Sequence, residues 1–192
     1  LLKKFNILLI LFLLIFQSCG LRDDEDPVTA RTTFIPPTTP DLVVFNLKSS
    51  IIEKDLNNFM KCLIDTAFNP RKYTYSADVV SQSQYPIFRF WAIGNEYSYY
   101  RNLLTVTNPQ TYSDVIFTDV TWNIVADTAI FDAKYELLFE HNKTGAPKRC
   151  LGALRFVMSV DTRNLWSVHN WSDFKNTSTD TTWSVLKANF AN

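Results

Sequence analysis

Residues 129–140 read AIFDAKYELLFE, and their alternation decides the fold class. Phe131, Ala133, Tyr135, Leu137 and Phe139 fall on one side of an extended chain. Asp132, Lys134, Glu136 and Glu140 fall largely on the other, so the period of two describes a strand with one buried and one wet face. Downstream, His141 to Lys148 contains Gly145 and Pro147 and suits a hairpin loop, with His141 expected as a solvated turn residue. The returning strand places Cys150, Gly152, Leu154, Phe156, Met158 and Val160 inward. A turn at 161–164, a third long strand at 165–174 and a terminal helix at 182–190 follow, the helix presenting Trp183, Leu186 and Phe190 at i, i+3 and i+7.

Upstream of these strands the period changes. From Asp41 the chain reads DLVVFNLKSSIIEKDLNNFMKCLIDT, helical in character and free of internal glycine or proline. Val44, Leu47 and Ile51 form one stripe; Leu56, Phe59, Met60, Leu63 and Ile64 form a second that points elsewhere round the axis. Two helices are therefore expected, with Asp55 as N-cap of the second. After Asn69-Pro70, residues 73–80 read as a strand and 95–104 as a short helix capped by Asn95. The fold class is α+β: a broken N-terminal helix on a curved antiparallel sheet.

The chain has 192 residues, with 19 Lys+Arg against 19 Asp+Glu and a pI near 6.9. Balanced charge removes the electrostatic basis for nucleic-acid binding, and 46% hydrophobic with 15% aromatic content is that of a packed domain. The order helix, broken helix, strand, short helix and long antiparallel strands resembles the cone-shaped nuclear-transport-factor-2-like superfamily. The residues carrying the resemblance are NLKSSIIEKDLNNFMKCLID at 46–65, FWAIGNEYSYYRNLL at 90–104 and LWSVHNWSDF at 165–174. The last is similar to the Trp-x-Ile-x-x-Trp-x-Asp ending of many lipid-anchored bacterial members, with Val168 in place of Ile.

Residues 1–20, LLKKFNILLILFLLIFQSCG, set Lys3 and Lys4 before an apolar run from Ile7 to Phe16. Ten apolar residues are too short to span a bilayer and fit the n-region and h-region of a signal peptide. With Ser18 before Cys19 the segment resembles a bacterial lipoprotein signal, which implies lipid on the Cys19 thiol; each added CH₂ would contribute about 0.8 kcal/mol of membrane affinity. Gly20, with no Asp beside Cys19, resembles the outer-membrane class. Asp23 to Asp26 looks like the surface-export signals of some lipoproteins. The expected organisation is a signal peptide at 1–18, lipidated Cys19 with a disordered tether to residue 40, and one domain at 41–192. At about 3.1 Å per residue such a proline-bearing tether would reach on the order of 60 Å.

Chemistry-bearing residues are few. His141 and His169 with Cys62 and Cys150 show no metal-ligand spacing, and nothing calls for a cofactor. His169 and Asp173 fall on the same side of the final strand, so an oriented acid–base pair with Tyr135 at the cone mouth competes with a partly exposed strand histidine. Tyr75, Trp91, Tyr100, Tyr135 and Trp171 either line a pocket able to stack on a ring or sugar or simply fill the core. Cys62 and Cys150 are either a disulfide, which an exported protein permits, or two apolar thiols. Catalytic members of the cone family use Asp, Glu, His or Tyr inside the cavity, whereas the inner faces assigned here offer no acid apart from Asp173. The resulting expectation is a lipid-anchored envelope protein whose domain binds a small apolar ligand, a sugar or an envelope protein, or is structural; the alternative is a cavity enzyme of isomerase or dehydratase type.

Overall fold

The structure, a computed structural model, describes residues 33–191. The signal segment, Cys19 and most of the tether lie outside the described residues. Two helices come first, α1 (Pro40–Glu53) and α2 (Leu56–Lys61). They break where Lys54 takes a left-handed conformation (φ 56°) and Asp55 caps α2 by accepting the Asn58 N–H at 2.9 Å, a cap of the kind that contributes about 1 kcal/mol. Then follow β1 (Thr74–Ser76), α3 (Val79–Gln84), a 3₁₀ turn (Pro86–Phe90) and α4 (Ile93–Thr105). The last part is β2 (Ser113–Val125), β3 (Thr128–Phe139), β4 (Arg149–Val160), β5 (Trp166–Phe174) and α5 (Trp183–Phe190).

The five strands form one curved sheet in the order β1-β5-β4-β3-β2, antiparallel except for the parallel β1–β5 edge, and the helices pack on it in the cone arrangement. The alternation of β3 is realised in full. Phe131, Ala133, Tyr135, Leu137 and Phe139 are all buried. On the wet face Asp132 receives both Nε and Nη2 of Arg155, and Glu136 receives Arg149. Inside, Phe131 stacks on Phe156 at 5.8 Å, Phe156 meets Trp171 edge-on at 4.9 Å, and Trp171 meets Trp183 at 4.7 Å. This row of rings joins three strands to the terminal helix.

Several local expectations are corrected. The strand proposed for residues 73–80 stops at Ser76, because Asp78 accepts the N–H groups of Val80 and Ser81 and starts α3 instead; Val79 and Val80 end exposed. Helix α4 begins two residues before Asn95, whose side chain reaches back to the Ala92 N–H at 2.9 Å. Strand β2 escaped the alternation reading because its outer half is exposed on both faces and its pairing with β3 shifts between Thr118 and Thr121. His141 is buried, not solvated. The Lys143 N–H donates to its Nδ1, so Nε2 carries the proton and donates to the Pro147 carbonyl at 3.1 Å, with Phe190 against the ring.

The tether assigned to residues 19–40 is packed over its described part. Asn46 exchanges two hydrogen bonds with the Ile35 backbone, the Trp166 N–H donates to the Pro37 carbonyl, and Pro37 is buried. The apolar pair Phe34-Ile35 and the prolines at 36 and 37 give this stretch enough surface to dock.

Candidate functional site

Two helices carry a charged residue inside an apolar stripe. In α4, Glu96 precedes Tyr99, Tyr100 and Leu103 at i+3, i+4 and i+7. In α5, Lys187 lies between Trp183 and Phe190 at i+4 and i+7. Both stripes face inward, and the charges meet: Lys187 Nζ donates to Glu96 Oε1 at 2.5 Å, with neither side chain exposed. Tyr73 Oη and Trp91 Nε1 donate to the same oxygen at 2.7 and 2.8 Å. Aromatic faces surround the ammonium. It stands 3.6 Å from the Trp171 centroid and 3.7 Å from that of Tyr75, with Tyr99 and Trp91 at 5.6 and 5.8 Å. Burial lowers the Lys187 ammonium to about 8, opposed by the Glu96 charge and hydrogen bond.

Asp173 forms a second polar cluster. Its Oδ1 accepts from Tyr135 Oη at 2.7 Å, and its Oδ2 accepts from the Ser184 N–H and Oγ at 2.7 and 2.5 Å. Burial lifts its carboxyl to about 6, against the pull of the Ser184 and Tyr135 hydrogen bonds and, more weakly, of Lys187. Tyr135 reaches Asp173 by crossing β4 at Gly152, where any Cβ would stand 2.6 Å from the Phe174 carbonyl oxygen and 2.7 Å from Tyr135 Oη. There its hydroxyl also accepts the Trp183 N–H at 2.7 Å. Glycine is therefore a condition of this crossing.

The structure brings together Tyr75, Trp91, Trp171, Tyr135 and Asp173 from the expected pocket, but as packed core. Tyr100 belongs elsewhere, stacked on Phe59 at 4.2 Å with its hydroxyl on the Ser50 carbonyl. His169 is separated from Asp173. Asn170 pairs with Val157 while Val168 pairs with Met158, so His169 is the extra residue of a β-bulge that reverses the inward phase. It is left half-buried, and burial followed by the Arg71 charge lowers its pKa. Cys62 and Cys150 are free, buried thiols, both pushed up by burial, and Cys62 Sγ donates to the Asn58 carbonyl. The expectation of inner faces without an acid, with Asp173 at the cone mouth as the open exception, missed Glu96 and Asp78, and with them Lys187, Tyr73, Tyr99 and Ser184.

A cavity of about 560 Å³ opens between residues 34–37, the end of α2 and the β4–β5 turn, walled by Phe34, Met60, Ile64, Leu165 and Trp166. Its polar lining includes Lys61 and the Asp161–Arg163 ion pair. Tyr73 is shared: it lines this cavity and donates to Glu96 within.

No protein-family profile and no curated protein matches the chain. Solved structures do. One is a proposed dehydratase from the NTF2-like family of Streptomyces avermitilis, at TM-score 0.53 and 15% identity, covering 73% of this chain and 100% of its own. Another is a proposed aromatic ring hydroxylase from Novosphingobium aromaticivorans, at 0.51 and 10%, covering 76% and 92%. A protein of unknown function from Mycobacterium tuberculosis aligns at 0.51 and 8%, covering 79% and 82%. At such identities the likeness speaks to architecture, and it agrees with the element order and sheet described above: the domain has the cone-shaped α+β fold of NTF2-like proteins.

Proposed function

We propose that this chain is a lipid-anchored cell-envelope protein whose cone domain binds rather than catalyses, taking a small apolar ligand in the cavity beside Phe34 and Trp166. The observation that carries this reading is the occupancy of the cone: Trp183, Leu186, Lys187 and Phe190 of α5 are buried in it, and the buried acids Glu96, Asp173 and Asp78 each accept from the chain's own donors. An enzyme on this fold needs an acid or base that meets substrate. The outer cavity instead has the size and apolar wall of a ligand site. Anchoring rests on the sequence, through Cys19 and the apolar run before it.

Titration with the fluorescent apolar probe anilinonaphthalene sulfonate tests the binding half. Saturable enhancement that Met60→Glu abolishes supports it, and enhancement unchanged by that substitution contradicts it. Labelled fatty acid incorporated by the wild type and lost in Cys19→Ser tests the anchor.

A cone enzyme of isomerase or dehydratase type is the second reading. It is favoured by Asp173, whose carboxyl is lifted to about 6 and bonded to Tyr135, and it agrees with the dehydratase name carried by one structural neighbour. It requires α5 to leave the cone.

A further inference from the structure

Lys187 is surrounded as a bound cation is, not as a surface lysine tucked into a core. Two ring faces, Trp171 and Tyr75, lie within 3.7 Å of its nitrogen, Tyr99 and Trp91 extend the wall, and Glu96 supplies the negative charge. Aromatic faces attract a desolvated cation through the ring quadrupole, and a cage of several faces is how proteins recognise alkylammonium groups. The cage also has acceptor capacity that the lysine leaves unused: Glu96 Oε2 is buried and accepts nothing among the described residues. The alkyl stem of Lys187 enters along the face of α5, which is joined to β5 by residues 175–182.

We propose that the interior of the cone is a binding site for a primary alkylammonium ion, and that in this chain the side chain of Lys187 occupies it in place of a free ligand. The terminal helix is then the carrier of a built-in ligand, with Trp183, Leu186, Lys187 and Phe190 buried together. The inference is independent of the outer cavity.

The substitution Lys187→Ala tests it, because it deletes the atoms of n-propylammonium and leaves the cage in place. Thermal melts are recorded with n-propylammonium chloride, with sodium chloride at equal ionic strength, and with 1-propanol. Expected is a saturable rise in the variant's Tm with the amine, about 4 °C at ten times its Kd, with no such rise in the wild type. A rise of the same size with 1-propanol would show that only volume is being filled, and no rise with either would show that no ammonium site exists; both overturn the proposal. Should Lys187→Ala not fold unaided, its refolding yield is the readout. Recovery with the amine and not with the alcohol supports the site, and no recovery contradicts it. Lys187→Met keeps the volume without the charge and is expected to be indifferent to the amine, so a Tm rise there would place the binding elsewhere.

Discussion

Lys187 and Glu96 are 91 residues apart in sequence and 2.5 Å apart in space, and neither has any exposed side-chain surface. Their attraction offsets a desolvation cost of several kcal/mol per ion only while both are present. Glu96→Gln and Lys187→Met are each expected to lower stability by about 3 kcal/mol. The double variant should lose clearly less than their sum, with a coupling of at least about 1 kcal/mol by denaturant unfolding. Strict additivity would show that the two charges do not meet.

Asp173 gives the domain an acid-side signature. Its folded pKa of about 6 exceeds the unfolded value of about 3.9, so between these values the folded state holds more protons. Stability contributed by this group is complete below pH 4, falls as pH rises to 6 and is flat beyond; the span is on the order of 3 kcal/mol. Lys187 acts on the alkaline side. Its folded value of about 8 lies below 10.5, so stability should climb from pH 8 toward 10. Unfolding free energy against pH, compared with Asp173→Asn and Lys187→Met, is the measurement; a variant curve parallel to wild type in its window removes that assignment.

The register of β3 separates two adjacent residues. Tyr135→Asp buries an unpaired charge beside Asp173 and should cost several kcal/mol. Glu136→Lys loses only the exposed pairing with Arg149 and should cost less than 1 kcal/mol. Similar melting shifts for the two would mean the faces are reversed.

Gly152 and Gly94 form a second contrast. Gly152→Ala drives a Cβ against the Phe174 carbonyl and the Tyr135 hydroxyl, so Tm should fall steeply and the Tyr135–Asp173 bond should be lost. Gly94→Ala meets nothing within 4 Å in the first turn of α4 and should stabilise by about 0.5 kcal/mol. Equal effects would contradict the crossing of β4 by Tyr135.

Where one period ran uninterrupted, sequence and structure agree: β3 alternates as written, β4 does so as far as Met158, after which Ser159 is buried in place of Val160, and the α1–α2 break falls at Asp55. Strand β2 escaped notice because only its first residues, Ser113 and Val115, have a buried set, while its outer half is exposed on both faces and has nothing to alternate. The His169–Asp173 pairing failed for a different reason. Counting by two assumes an unbroken ladder, and one bulge residue inverts the phase while leaving no mark in composition. The Glu96–Lys187 pair did leave a mark, since each interrupts an apolar helical stripe at a core position. A stripe in one helix, however, does not reveal that its opposite charge lies on another until the fold brings α4 and α5 together.

Ligand is expected in the outer cavity with α5 still packed in the cone, and the five tryptophans report on the two places separately. Trp166 lines the cavity, Trp91, Trp171 and Trp183 are buried in the cone, and Trp122 lies on β2. Indole N–H signals followed by ¹H–¹⁵N NMR during titration with anilinonaphthalene sulfonate distinguish the two sites. The Trp166 signal is expected to move in a saturable way while those of Trp91, Trp171 and Trp183 hold still. Movement of the Trp171 and Trp183 signals with Trp166 unchanged would place the ligand inside the cone and contradict that expectation.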